Sequence, residues 1–168
     1  LPSQAAFHLW LINEIYSNAD GTVQFVEFTA LSAGQQFVGG HTLQSNAASG
    51  NRLLTFPNDL PGDTAGKSFL VGTQGFAALG LVAPDFVVPN GFLDVTGGTL
   101  VFSDIYDRVT YGPLPTDGVK SVNRTGVQAT NSPTNFAGAT GSISPPAAPL
   151  SVTSTGAGTG SVTSSPAG

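Results

Sequence analysis

Gly, Pro, Asn and Asp interrupt this 168-residue chain at short intervals, and the runs between them are rich in Val, Ile, Phe, Tyr and Thr. Such punctuation favours short strands joined by turns and leaves little room for long exposed helices. The first run, "FHLWLINEIY", is apolar on both faces, as a strand central to a packed sheet should be. "VQFVEFTAL" is expected to return antiparallel to it. "QQFVGGHTLQS" follows, with Gly39-Gly40 marking a bulge or a close backbone approach, and then "NRLLTFP", stopped by Pro57. Beyond the loop "NDLPGDTAG" come "KSFLVGT", "DFVVP", "GFLDV", "GTLVFS", "DRVTYG" and "GVKSVNR", while "GFAALGL" is short enough for a single helical turn. Roughly ten short strands predict an all-β sandwich or barrel.

Eleven Phe and 40% hydrophobic residues are enough for one buried core, so one domain is expected. Only 9% of residues are charged, against roughly 25% in an average soluble protein. The net charge of -5 argues against nucleic-acid binding, which needs clustered cations. With no Cys, disulfides and thiolate metal sites are excluded. No apolar run approaches the ~20 residues of a membrane-spanning helix, so no membrane span is expected. A chain opening at Leu1, with no Met anywhere, reads as a processed product or a fragment; removal of a secretory signal is the simplest cause, and the expected location is extracellular or on the cell surface.

The only two glutamates flank the first turn, in "INEIYSNADGTVQFVEF". If Asp20-Gly21 forms a two-residue hairpin loop, Tyr16 faces Phe25, Ile15 faces Val26 and Glu14 faces Glu27. Like charges directly opposite one another call for a cation, a shared proton or separate hydrogen-bond partners. A longer loop from Asn18 would shift the register and remove the conflict. Three roles stand open for the pair. A glycosidase pair would need about 5 to 9.5 Å between carboxyl groups and a cleft, whereas these faces suggest an interior or inter-sheet position. A calcium site would combine Glu14 and Glu27 with Asp20, Asp104 or Asp107, although no linear calcium loop is present. A scaffold role would have each Glu accept from backbone amides, Arg108 or Arg124, and this reading is preferred.

The order of the pieces "INEIYSNADGTVQFVEF", "FVGGHTL", "LLTFPNDL", "SFLVGTQGF", "GGTLVFSDIYDRVTYG" and "TDGVKSVNR...PTNFAG" resembles the lamin tail domain family, from about Phe7 to Gly138. His41 stands where similar chains more often carry an aromatic residue. The resemblance implies an immunoglobulin-like β-sandwich of a secreted bacterial protein, and it implies no catalysis.

Other chemistry is sparse. "GDTAGKSF" ends like a phosphate-binding loop but has Pro61 where that motif needs Gly, and a strand-like run follows it. His8 and His41, the only histidines, lie in strand patterns and read as structural. "NRT" at Asn123 is the one unblocked glycosylation acceptor, and chance accounts for it.

The composition shifts near Gly138. A domain over residues 1–143 is expected to give way to a tail over 144–168, free of charged and aromatic residues. Its "LSVTST" and "GSVTSS" alternate apolar and hydroxyl residues, so the tail is predicted to add as an extended strand to a sheet edge, with Leu150, Val152 and Val162 as its contact residues. These features predict a secreted, non-enzymatic structural protein that self-assembles into a filament or surface layer, a homopolymer with a cell-surface or matrix partner. The alternative is an adhesive or carbohydrate-binding module, calcium-assisted, with the tail as linker. A hydrolase using the carboxylates comes third.

Overall fold

The computed structural model describes residues 6–145 together with Gly158. Leu150, Val152, Val162 and the tail beyond Pro145, Gly158 apart, lie outside the described residues. The elements in chain order are β1 (Trp10–Ser17), β2 (Gln24–Ala30), β3 (Thr42–Ala47), β4 (Gly50–Thr55), β5 (Ser68–Thr73), α1 (Gln74–Ala78), β6 (Phe86–Val88), β7 (Gly98–Phe102), β8 (Asp107–Tyr111), β9 (Lys120–Asn123) and β10 (Gln128–Thr130). They build a six-stranded sheet, β10-β9-β1-β2-β5-β6, and a four-stranded sheet, β4-β3-β7-β8. All pairings are antiparallel except β5 with β6, which α1 connects.

The two sheets pack face to face through an aromatic core. Trp10, Phe28 and Phe69 of one sheet meet Leu43, Leu100 and Phe102 of the other, all fully buried. Phe28 stacks on Phe69 at 4.4 Å and reaches across to Phe102 at 5.3 Å. Aromatic pairs at these separations add to the burial term. The six-stranded sheet also buries its outer face, where Tyr16, Phe25, Leu70, Phe76, Val82 and Ile143 form a second cluster. Burial on both faces is why β1 and β2 read as apolar throughout.

Two local expectations are corrected. The strand expected across "QQFVGGHTLQS" starts only at Thr42, because Gly40 turns the chain at φ 80° and the His41 N–H closes that turn on the Val38 carbonyl at 3.0 Å. Gly39 is a close approach: a Cβ there would lie 2.8 Å from the Asp59 carboxylate. "GFLDV" buries Phe92 and Leu93 but joins no ladder, since the Gln24 side chain takes both the N–H and the carbonyl of Leu93, each at 2.9 Å. In turn, β10 forms without any alternation to announce it, all three of its residues being exposed.

Candidate functional site: a strap fastened by buried carboxylates

The β1–β2 register pairs Glu14 with Glu27, Ile15 with Val26 and Tyr16 with Phe25. The loop is longer than the two residues expected: the Asn18 N–H closes it on the Val23 carbonyl at 2.9 Å. The expectation that a loop starting at Asn18 would shift the register is corrected, because one residue is added to each side and the pairing is unchanged. Asp20 and Gly21 still make the tip, with Gly21 at φ 72°.

A bulge at Asn13 decides which way Glu14 points. Between Ile12 and Glu14 the register slips, so Trp10, Ile12 and Ile15 all face the inter-sheet core despite the odd spacing of the last two. An unbroken alternation would have put Glu14 in that core instead. Both glutamates, buried at 7% and 4% exposure, therefore lie on the outer face of the sheet. Of the interior or inter-sheet position expected from sequence, the burial holds and the inter-sheet placement is corrected.

What covers them is the segment after β10. Residues 132–136 cross the sheet and offer alternate backbone N–H groups to three carboxylates. Ser132 donates to Glu14 at 2.8 Å, Thr134 to Glu27 at 2.8 Å and Phe136 to Asp85 at 2.9 Å. Pro133, which has no N–H, occupies one of the intervening positions. Glu14 accepts in addition from the hydroxyls of Ser121 (2.6 Å) and Ser132 (2.9 Å). Glu27 accepts also from Asn13 (3.2 Å) and Ser68 (3.4 Å). Asp85 holds the Leu70 N–H at 2.8 Å as well, continuing the β5–β6 pairing. The strap then doubles back through a Thr134–Thr140 bridge. Asn131 locks the return: its amide donates to the Ile143 carbonyl at 2.7 Å and accepts from the Ile143 N–H at 2.6 Å.

The like-charged pair is thus accommodated by separate hydrogen-bond partners. Neither of the two ion pairs among the described residues involves Glu14 or Glu27. Burial pushes the Glu27 carboxyl above the usual range, and the neighbouring Glu14 charge pushes the same way against the donors from Asn13, Thr134 and Ser68. Burial likewise raises Asp85 against its two amide donors.

Arg124, expected from sequence as a partner for the glutamates, serves Asp107 instead. It forms a bidentate pair at 3.0 Å on both contacts. Asp107 Oδ2 accepts from the Ile12 N–H at 2.6 Å, and Arg124 donates to the Ile12 carbonyl at 3.1 Å. β9 pairs with β1 only at Glu14 and Ile15, so this ion pair replaces the missing strand neighbour of Ile12 and ties β8 of one sheet to β1 of the other.

The remaining candidate calcium ligands stay apart from the glutamates. Asp20 sits in the first loop, fully engaged at Oδ1 by the Thr22 N–H (2.9 Å) and hydroxyl (2.6 Å). Asp104 occupies the β7–β8 turn at φ 67°, a conformation Asp tolerates better than most residues. Among the described residues no three acidic or histidine side chains gather as a metal site. His41 stacks on Phe7 at 3.3 Å with Nδ1 3.2 Å from the Ser103 hydroxyl, and His8 packs against Phe7 and Tyr106. After "GDTAGK" the chain enters strand β5, with no helix to receive a phosphate.

Beside the end of the strap lies an open groove of about 370 Å³, with an apolar floor of Tyr16, Val23, Leu79, Ile143 and Pro145. Sequence reasoning missed it, because its walls come from four separate segments. Compared with protein families, curated proteins and solved structures, the chain matches none.

Proposed function

We propose that this chain is an immunoglobulin-like β-sandwich of the lamin tail type, acting as a non-enzymatic structural subunit of an extracellular or cell-surface assembly. Copies join through residues 144–168, which add as an extended strand to a neighbour's sheet edge. The observation that carries this reading is the strap. Two buried glutamates, Asp85 and Asn131 hold residues 131–143 across the sheet, so Pro145 leaves the domain from a fixed point. A tail that transmits a connection needs such a rigid root. The carboxylates that would serve a hydrolase are already committed to fixed donors, which supports a structural role over a catalytic one. The uncharged, β-branched composition of the tail suits edge pairing, which draws mainly on backbone groups.

Electron microscopy of the full chain should reveal filaments or a layer. Deletion of residues 146–168, which spares Ile143 and its lock on Asn131, should leave a folded monomer. Assembly undiminished by that deletion would overturn the proposal.

A second reading draws on the opposite end of the sandwich. There Ile105 is 82% and Tyr106 44% exposed beside His8. An adhesive or carbohydrate-binding module, calcium-assisted, would use such a surface. Glycan-array binding abolished by Tyr106→Ala would favour it.

A further inference from the structure

We propose that the groove beside the end of the strap is the seat for Leu150 and Val152 of a neighbouring copy of this chain. The inference rests on the assembly reading above and names the acceptor of the tail's first apolar pair, whose seating is what brings the stretch around Val162 to the neighbour's sheet edge.

The groove has the character of a docking site rather than a solvated cleft. Its floor is apolar, and Leu79, 42% exposed, lines it together with Tyr16 and Ile143 of the buried outer cluster. Asp20 and Asp117 stand among its polar lining residues, and the hydrogen bonds they accept from the protein fall on Oδ1. The occupant is indicated by where the described chain stops. Pro145 lines the groove, and residues 146–168 continue from that point. That stretch carries three large apolar side chains, Leu150, Val152 and Val162, and no charge for the acidic rim to repel or attract. In an extended segment, side chains two residues apart share a face with a spacing of roughly 7 Å. Leu150 and Val152 would enter the floor together, with Ser151 and Thr153 left at the polar rim.

A neighbour's tail fits better than the chain's own. Proline fixes its own φ and holds the residue before it extended. With Pro at 145, 146 and 149, the spacer resists the tight reversal that would return Leu150 to a groove beside Pro145. In an extended proline-rich conformation, five residues carry the chain roughly 15 Å away. A tail-to-groove contact is heterologous, so each copy offers one of each half and the contact propagates unless it closes a ring.

The test uses full-length chains with one half disabled. Leu150→Glu removes the tail anchor, and Leu79→Glu places a charge in the groove. Thr116→Trp, which fills the groove from its rim, checks the second variant, and near-ultraviolet circular dichroism checks the fold of all three. By sedimentation velocity the wild-type chain should form long oligomers and each variant alone should stay monomeric. An equimolar mixture of Leu150→Glu and Leu79→Glu should form a 1:1 dimer that grows no further, because only one intact tail and one intact groove remain. Groove variants that assemble like the wild type would overturn the seat while leaving the assembly reading standing. Monomeric variants whose mixture stays monomeric would also overturn it. A wild-type chain that remains monomeric at high concentration would overturn both.

Discussion

Two fastenings built on buried carboxylates hold this molecule together, and they solve the same problem differently. At Ile12, Asp107 and Arg124 supply an acceptor and a donor where a strand neighbour is missing, and their charges cancel. Under the strap, Glu14, Glu27 and Asp85 take alternate amides of residues 132–136 with no cation among those partners. The ion pair joins the two sheets, whereas the uncompensated carboxylates fix a loop on one sheet. Truncating one partner of the ion pair strands a charge, while truncating a strap carboxylate strands amides and hydroxyls. The difference predicts unequal costs.

The largest effect is expected from Arg124→Met. It leaves Asp107, 7% exposed, with its charge unpaired. Loss of about 3 kcal/mol is expected, the low end for a broken buried pair because the Arg124 side chain is 33% exposed and partly screened. Denaturant midpoints should show that adding Asp107→Asn recovers part of this loss, and a purely additive double variant would break the comparison.

Next comes Glu14→Ala, which orphans the Ser132 N–H and two hydroxyls. A loss of about 2 kcal/mol is expected. Hydrogen exchange should accelerate at Ser132, Thr134 and Phe136 while β7 stays protected. Uniform acceleration across both sheets would mean that the strap is not a separable unit.

A smaller effect, opposite in sign for two sets of carboxylates, is expected from pH. Glu27 and Asp85 have raised pKa values in the fold. The stability linked to them is therefore fully present below the ordinary carboxylate pKa of about 4, and is lost as pH rises through their raised values. The exposed turn carboxylates Asp20, Asp63, Asp94 and Asp117 are lowered by hydrogen bonds, Asp94 to about 2. Their contribution is present above the ordinary value and lost as pH falls through the lowered one. The unfolding midpoint should thus be highest in mildly acid solution, decline gently towards neutrality and drop in strong acid. Glu27→Gln should flatten the decline towards neutrality, and a midpoint that climbs steadily up to pH 7 would contradict the assignment.

The smallest change is expected on removing divalent metal. With no acidic cluster among the described residues, chelation should alter stability by less than about 1 kcal/mol. A larger chelator-induced drop, restored by calcium and absent in Glu14→Gln, would establish the calcium reading.

The sequence by itself determined the β architecture of this protein, most of its strands and the single helical turn, and it narrowed the facing of Glu14 and Glu27 to one of two registers that only the structure chose between. Each of these follows from local chemistry: β-branched and aromatic runs between turn formers. Tertiary structure alone decided what the polar residues do. Gln24 holding Leu93, Asn131 holding Ile143, Asp107 with Arg124 holding Ile12, and the carboxylates under the strap all join positions far apart in the chain. Each supplies a backbone partner where a strand is absent. The need for that partner exists only once the sheets have formed and excluded water, so a local pattern has no means of recording it. The Asn13 bulge belongs with these. A single extra residue turned Glu14 from the core to the strap, and only the packing of Ile12 and Ile15 into one core made that slip the stable arrangement.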